Sequence, residues 1–207
     1  MEKILIAGAN GTTGKKIVDL LATSQYFTPV AMVRKEEQIK QFEEKKIETV
    51  LADLEQDVSH AFSAIDKVIF AAGSGGKKVK EVDQEGAKKL IKESEKNNIK
   101  KFVMLSSMGA DGPEQAEDLQ EYLKAKQNAD EYLKKSNIPF SIVRPGSLTN
   151  NEAKGKIKLS KKLQERGEIS RADVAQTLVR VLHDSAQINK TFEIIEGDTL
   201  IGKAIPN

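Results

Sequence analysis

The chain has 207 residues, 39% hydrophobic and 31% charged, a composition that suits one soluble domain burying about 70% of its unfolded surface and that excludes disordered and collagen-like architectures. Lys and Arg number 33 against 31 Asp and Glu, giving a formal charge of +2, so the chain exerts no general pull on nucleic acid or anionic membrane and any anion site must be local. Cys is absent, which removes disulfides, thiolate metal sites and cysteine nucleophiles together and fits a reducing compartment.

Along the chain, short apolar runs alternate with helix-length segments. Residues 4–7 read as a first strand, with a helix over 13–23. Strands at 29–33, 49–51, 68–72, 102–105 and 140–143 follow, separated by helical patterns at 35–44, 55–64, 79–96 and 116–135. The strands are almost continuously apolar, which demands burial on both faces. The pattern therefore predicts an α/β fold: a Rossmann-type, doubly wound parallel sheet between two helix layers, with right-handed crossovers. The apolar run before Gly8 is too short for a signal peptide or a membrane span, so a cytoplasmic location and no membrane association are expected. The two histidines, His60 and His183, lack metal-like spacing to any partner, and no metal site or Ser-His-Asp relay is expected.

After Pro145 a polar loop (Thr149, Asn150, Asn151) leads into a Lys-rich stretch at 154–162, a helix at 171–182 and a strand near 191–195. The expectation is a single domain, 1–207, in which 146–207 contributes a small substrate-side portion. Lys154, Lys156 and Lys158 alternate with Gly155, Ile157 and Leu159, which puts three ammonium groups on one side. An edge strand guarded by lysines accounts for this, as does a cationic rim for an acidic substrate.

The first strand runs straight into Gly8-Ala-Asn-Gly11-Thr-Thr-Gly14 and then a helix. A pyrophosphate approaching a helix start needs backbone without Cβ at the turn, free N–H groups near Gly11, Thr12 and Thr13, and the close helix–strand contact that Gly14 permits. The spacing departs by one residue from G-x-G-x-x-G; a tight turn with no ligand is the plain alternative. Arg34 ends the second strand where an acidic residue would bond the ribose 2′-hydroxyl of NAD. A guanidinium there, with Lys35 beside it, suits a 2′-phosphate, so NADP(H) is favoured over NAD(H). Simple solvation of both charges is the competing explanation.

At these residues the chain resembles the short-chain dehydrogenase/reductase superfamily. It is most similar to the atypical NAD(P)H-binding members, which include NmrA-like regulators and the biliverdin and flavin reductase group. The likeness covers nearly the whole chain and rests on Gly8 to Gly14, Ala31-Met-Val-Arg34, Leu51-Ala-Asp53-Leu54, Phe70-Ala-Ala-Gly73, Leu105-Ser-Ser107, Tyr122-Leu-Lys-Ala-Lys126 and Val143-Arg-Pro145-Gly146. It implies that Gly8, Asn10, Gly11, Thr12, Thr13 and Gly14 hold the diphosphate. Asp53 and Leu54 would hold the adenine, with Ala72, Gly73 and Ser74 passing the nicotinamide-side ribose. Pro145 and Gly146 would turn beside the carboxamide. Asp53 also reads as a helix cap with Gln56 reaching back, and Pro145-Gly146 as an ordinary strand-ending turn.

Tyr122 and Lys126 lie four apart on one helical face with Ala125, Ala129 and Leu133. A lysine on an apolar stripe calls for a partner, because Lys is almost never buried alone. The resemblance makes this the Tyr-x-x-x-Lys pair: Lys126 bonds the nicotinamide ribose and lowers the pKa of Tyr122, which gives a proton to the substrate oxygen as hydride arrives. Ser106 or Ser107, at the end of the fifth strand, would orient that oxygen. The plain alternatives are a packed aromatic with a wet hydroxyl and a snorkelling surface lysine. Several atypical members lack the tyrosine, and Ser107 precedes Tyr122 by only 15 positions. The expected function is an NADP(H)-dependent oxidoreductase, a monomer or homodimer, acting on a small carbonyl, quinone or flavin without nucleic acid partners. A non-catalytic NAD(P)-sensing regulator of NmrA-like type is the alternative.

Overall fold

A computed structural model of the chain describes residues 1–206. Strands β1 (Glu2–Ala7), β2 (Phe27–Val33), β3 (Glu48–Leu51), β4 (Lys67–Phe70), β5 (Lys101–Leu105) and β6 (Phe140–Pro145) form a parallel sheet in the order β3-β2-β1-β4-β5-β6. Helices α1 (Thr12–Ala22), α2 (Lys40–Glu43), α3 (Ala87–Lys96) and α4 (Gln120–Lys134) provide crossovers. This is the Rossmann arrangement expected from the alternating pattern. The strand order reverses between β1 and β4, and ligands of such sheets bind at the carboxyl ends beside that reversal.

The sheet continues past β6. Beyond it come β7 (Ser147–Thr149), β8 (Lys156–Ser160), β9 (Glu168–Ser170), helix α5 (Arg171–Arg180), β10 (Lys190–Glu196), β11 (Thr199–Leu200) and α6 (Ile201–Ala204). Strand β10 pairs parallel to β6, β8 runs antiparallel to β10, and β11 covers the far side of β8. The Lys-rich stretch is therefore not the outermost strand along its whole length. Its ammonium groups are also largely neutralised, Lys154 by Glu196, Lys158 by Glu165 and Lys162 by Asp111. Strands β7 and β9 make a separate two-stranded ribbon.

Alternation along each strand divides the apolar residues between two cores. Ile4 and Ile6 of β1 join Ile17, Val18, Leu21, Val174 and Leu178 under α1 and α5. Leu5 and Ala7 join Phe70, Leu90, Ile91, Met104 and Leu133 under α3 and α4. Burial on both faces leaves β4, β5 and β6 no solvent-facing row, which is why they read as nearly unbroken apolar runs, whereas the edge strand β3 stays partly exposed.

Helix boundaries shift where side chains compete for the backbone. The helix expected at 55–64 is replaced by turns and a 3₁₀ segment, Ser59–Phe62. Asp53 Oδ1 accepts the Glu55 N–H at 2.9 Å, and the Asp57 carboxylate accepts both the Ser59 N–H and its hydroxyl; such bonds favour turns over helix. Asp53 therefore does not cap a helix, and the link to Gln56 runs from its backbone N–H to the Asp53 carbonyl. The helix expected at 35–44 is split into a 3₁₀ turn (Glu36–Gln38) and α2, and Gln38 Oε1 reaches back to accept the N–H groups of Arg34 and Lys35 at the start of that turn. The helix expected from residue 116 begins at Gln120. Upstream of α3 the chain winds as a widened π-helical segment, Val79–Gly86.

Candidate active site

The turn after β1 is shaped by backbone contacts that exclude side chains. Gly8 has φ +86°, and a Cβ there would sit 2.6 Å from the Ala72 backbone, so the loops after β1 and β4 touch. A Cβ on Gly14 would lie 2.0 Å from the Gly8 carbonyl oxygen. Helix α1 thus begins directly under the turn. Its N-cap, Gly11, makes no side-chain capping bond and the first turn carries no acid, which leaves N–H groups and the positive helix end directed at the space above.

That space is a cleft of about 940 Å³. Gly8, Asn10, Gly11, Thr12, Thr13, Arg34, Asp53, Leu54, Ala72, Gly73, Ser74, Ser106, Tyr122 and Lys126 all line it. Gly14 does not; it acts beneath, in the helix–loop contact. Lys35 does not line the cleft either, and its ammonium lies 3.3 Å from Glu37. Arg34 is exposed, and no carboxylate pairs with its guanidinium among the described residues. Asn10 is held by Gln41, whose Nε2 donates to Asn10 Oδ1 at 2.7 Å.

A second cavity of about 790 Å³ adjoins the first, and Ser106, Leu119, Tyr122 and Leu148 line both. Ser107, Pro145 and Gly146 lie on this second side, together with the loop at 162–167 and the buried carboxylate Glu193. Glu193 Oε2 accepts the Leu163 N–H at 2.7 Å and so pins that loop. Tyr122 stands where the two spaces meet.

Lys126 is 3% exposed. Its ammonium lies 3.5 Å from Asp83 Oδ1, donates to the Leu105 carbonyl at 3.4 Å, and sits over the Tyr122 and Phe70 rings at 5.5 and 5.8 Å. It is not a snorkelling surface lysine. Asp83 Oδ2 in turn accepts the Ser74 N–H at 3.0 Å.

The two serines differ. Ser106 Oγ donates to Asp130 Oδ2 at 2.9 Å, the same oxygen that receives Arg144 Nε and Nη2 at 3.0 and 2.8 Å. Burial pushes the Asp130 carboxyl up, against the opposing pull of the Arg144 guanidinium and the Ser106 hydroxyl. With its proton given to Asp130, Ser106 offers the cleft only lone pairs. Ser107 is half-buried and its hydroxyl donates to the Met108 carbonyl at 3.2 Å.

Sequence reasoning missed Asp83, Asp130, Arg144 and Glu193. Each sits on an apolar-looking strand or helix face, and only burial of the charge marks it. The lysine on an apolar stripe was the one signal that a hidden acid existed.

A parallel sheet with the glycine turn at its reversal point and a long cleft above it defines a dinucleotide-binding Rossmann protein. A family model described as NAD(P)H-binding matches residues 8–185, and the chain belongs to that family. It is 39% identical to the uncharacterised sugar epimerase YhfK of Bacillus subtilis, across 98% of each chain. A structure from Bacillus halodurans, provisionally assigned as an NAD-dependent epimerase/dehydratase, is similar with a TM-score of 0.94 and 42% identity over 99% of this chain and 98% of that one. The oxidoreductase ylbE of Lactococcus lactis matches with a TM-score of 0.88 and 32% identity over 98% and 94% of the two chains.

Proposed function

We propose that this chain is an NADP(H)-dependent oxidoreductase that reduces a small carbonyl, quinone or flavin. The observation that carries the reading is Tyr122 on the wall shared by the two cavities, with the buried Lys126 ammonium over its ring. The cleft fits the coenzyme on three counts: a glycine cradle that a Cβ would fill, a helix start without an acid, and an exposed guanidinium free of carboxylates.

The glycine turn and Thr12 and Thr13 hold the diphosphate, Arg34 the 2′-phosphate, and Asp53 and Leu54 the adenosine. Lys126, Ala72 and Gly73 face the second ribose. Lys35 plays no direct part in this arrangement. When bound, the coenzyme supplies a hydride to the adjoining cavity. There Tyr122 holds a proton for the substrate oxygen, Ser107 directs that oxygen once its hydroxyl rotates away from the Met108 carbonyl, and Ser106 accepts a hydrogen bond from Tyr122 or from substrate. Pro145 and Gly146 border the same space, and residues 146–207 form its outer wall through Leu148, the 162–167 loop and Glu193.

The names of two relatives suggest epimerisation, one of them of a sugar. Against it, the segment after Pro145 is short and supplies β8, β10, β11 and α5, which extend and cover the sheet, leaving little for a nucleotide-sugar domain. The test is NADPH oxidation with a panel of quinones, flavins and aldehydes, run beside UDP-sugars. Turnover on the panel, cut about 100-fold by Tyr122→Phe, supports the reading. Tight NADPH binding with no turnover on any compound points to a sensor, and sugar epimerisation overturns the reading outright.

A further inference from the structure

The acid that partners Lys126 has no place in the reading above, and it is costly to keep. Asp83 is 1% exposed, and a buried ion pair is on energetic grounds replaceable by apolar residues. It also falls inside the π-helical segment Val79–Gly86, a rare arrangement frequently found at functional positions. Its two oxygens do different work. Oδ1 faces the Lys126 ammonium at 3.5 Å, while Oδ2 accepts the backbone N–H of Ser74 at 3.0 Å. Ser74 belongs to the loop 73–78, which borders the cleft from Gly73 to Lys78.

The lysine's donors can be accounted for. An ammonium has three; one faces Asp83 and one the Leu105 carbonyl. The third is flanked by the Tyr122 and Phe70 rings and has no protein acceptor among the described residues. The direction of that third N–H is set by where the other two are held.

We propose that Asp83 is a positioning residue: it aims the remaining Lys126 N–H at the coenzyme's nicotinamide-side ribose and, through Ser74, ties the 73–78 loop to the same point. The proposal rests on the reading of Tyr122 and Lys126 as the reactive pair. The carboxylate makes the loop and the lysine one unit, so a ribose that engages Lys126 meets a loop already in register.

The experiment compares wild type, Asp83→Asn and Asp83→Ala in coenzyme-free and NADPH-bound forms, with thermal melting to confirm folding. Without coenzyme, the Ser74 amide of Asp83→Ala exchanges at least ~10-fold faster, whereas Asp83→Asn, which keeps a carbonyl acceptor, stays within about 3-fold of wild type. Reductive methylation of Lys126, followed by mass spectrometry, accelerates at least ~10-fold in both variants as the ammonium loses its tether. With NADPH, Asp83→Asn binds within about 3-fold of wild type yet loses kcat by ~30-fold, because the reacting groups are misaimed and not merely weakened in binding. A kcat within 2-fold of wild type in Asp83→Asn, or unchanged Ser74 exchange and Lys126 labelling in Asp83→Ala, overturns the proposal. Failure of wild type to bind NADPH would instead overturn the oxidoreductase reading, and the two coenzyme-free measurements would still decide whether Asp83 tethers both groups.

Discussion

Replacing Arg34 with Ala removes the guanidinium proposed above to hold the 2′-phosphate. Its side chain is exposed and pairs with no carboxylate among the described residues, so the substitution disturbs no internal ion pair, and the backbone N–H still bonds Gln38 Oε1. A hydrogen bond to a charged group is worth about 1.5–3 kcal/mol; exposure to water moves the expected loss to the bottom of that range and below it, about 1–2 kcal/mol. At about 1.4 kcal/mol per decade this is a ~5–30-fold weakening of NADPH. NADH, which lacks the 2′-phosphate, changes by less than about 2-fold. Fluorescence titration with both coenzymes, at low salt and again at about 0.5 M salt where screening narrows the gap, measures the difference directly. Equal loss for the two coenzymes, no loss for either, or tighter binding of NADH by the wild type would refute the assignment of Arg34 to the 2′-phosphate.

Three further expectations concern the framework. Gly14→Ala places a Cβ 2.0 Å from the Gly8 carbonyl oxygen, against 3.2 Å for Gly11→Ala. The first should cost about 3 kcal/mol by denaturant unfolding and re-aim the coenzyme turn, the second well under half of that; equal effects would show that α1 does not rest on the loop. Asp130→Asn leaves the buried Arg144 guanidinium without its main carboxylate, only Asp111 remaining at 3.7 Å. About 3 kcal/mol of stability and roughly 6–12 °C in Tm should go with it, and a melting temperature unchanged within about 2 °C would contradict this. Burial, aided by the Lys67 charge, pushes the Lys101 ammonium down to about 8. Between pH 8 and about 10.4 the unfolded chain therefore binds more protons than the folded one, and stability rises with pH across that window, by about 3 kcal/mol at most; below it the cost of burying the charge is fully present and gives no slope. Lys101→Met should remove this part of the rise in urea titrations, and a slope identical to wild type would exclude the group.

The coenzyme side of the site was legible because its signals are local. Gly8, Gly11 and Gly14 stand at the junction of one strand and one helix, and a turn of that kind needs backbone freedom at fixed spacing. Arg34 marks the end of a strand whose apolar run defines it. Lys35 carries the same charge one position on but points elsewhere, since Gln38 turns the backbone there and Glu37 takes the ammonium; neighbouring positions on a strand end face opposite ways. The turns at 53–59 escaped a periodicity reading for a related reason. The apolar spacing of Val58, Ala61 and Phe62 is compatible with a helix, but Asp53 and Asp57 capture N–H groups that a helix would have used.

The amino-acid order by itself determined the class of fold, since apolar runs buried on both faces admit only a sandwiched parallel sheet, and it determined where the glycine turn lies. It also placed Tyr122 and Lys126 on one helical face, because a spacing of four does so in any helix. What only the tertiary structure decided is which charges face one another. Asp83 and Lys126 are 43 positions apart, Ser106 lies just past the end of β5 while Asp130 lies on α4, and Glu193 comes from a strand that pairs beside β6 after a long excursion. Contacts of that range follow from how strands and helices stack, and no spacing rule within a single element contains them.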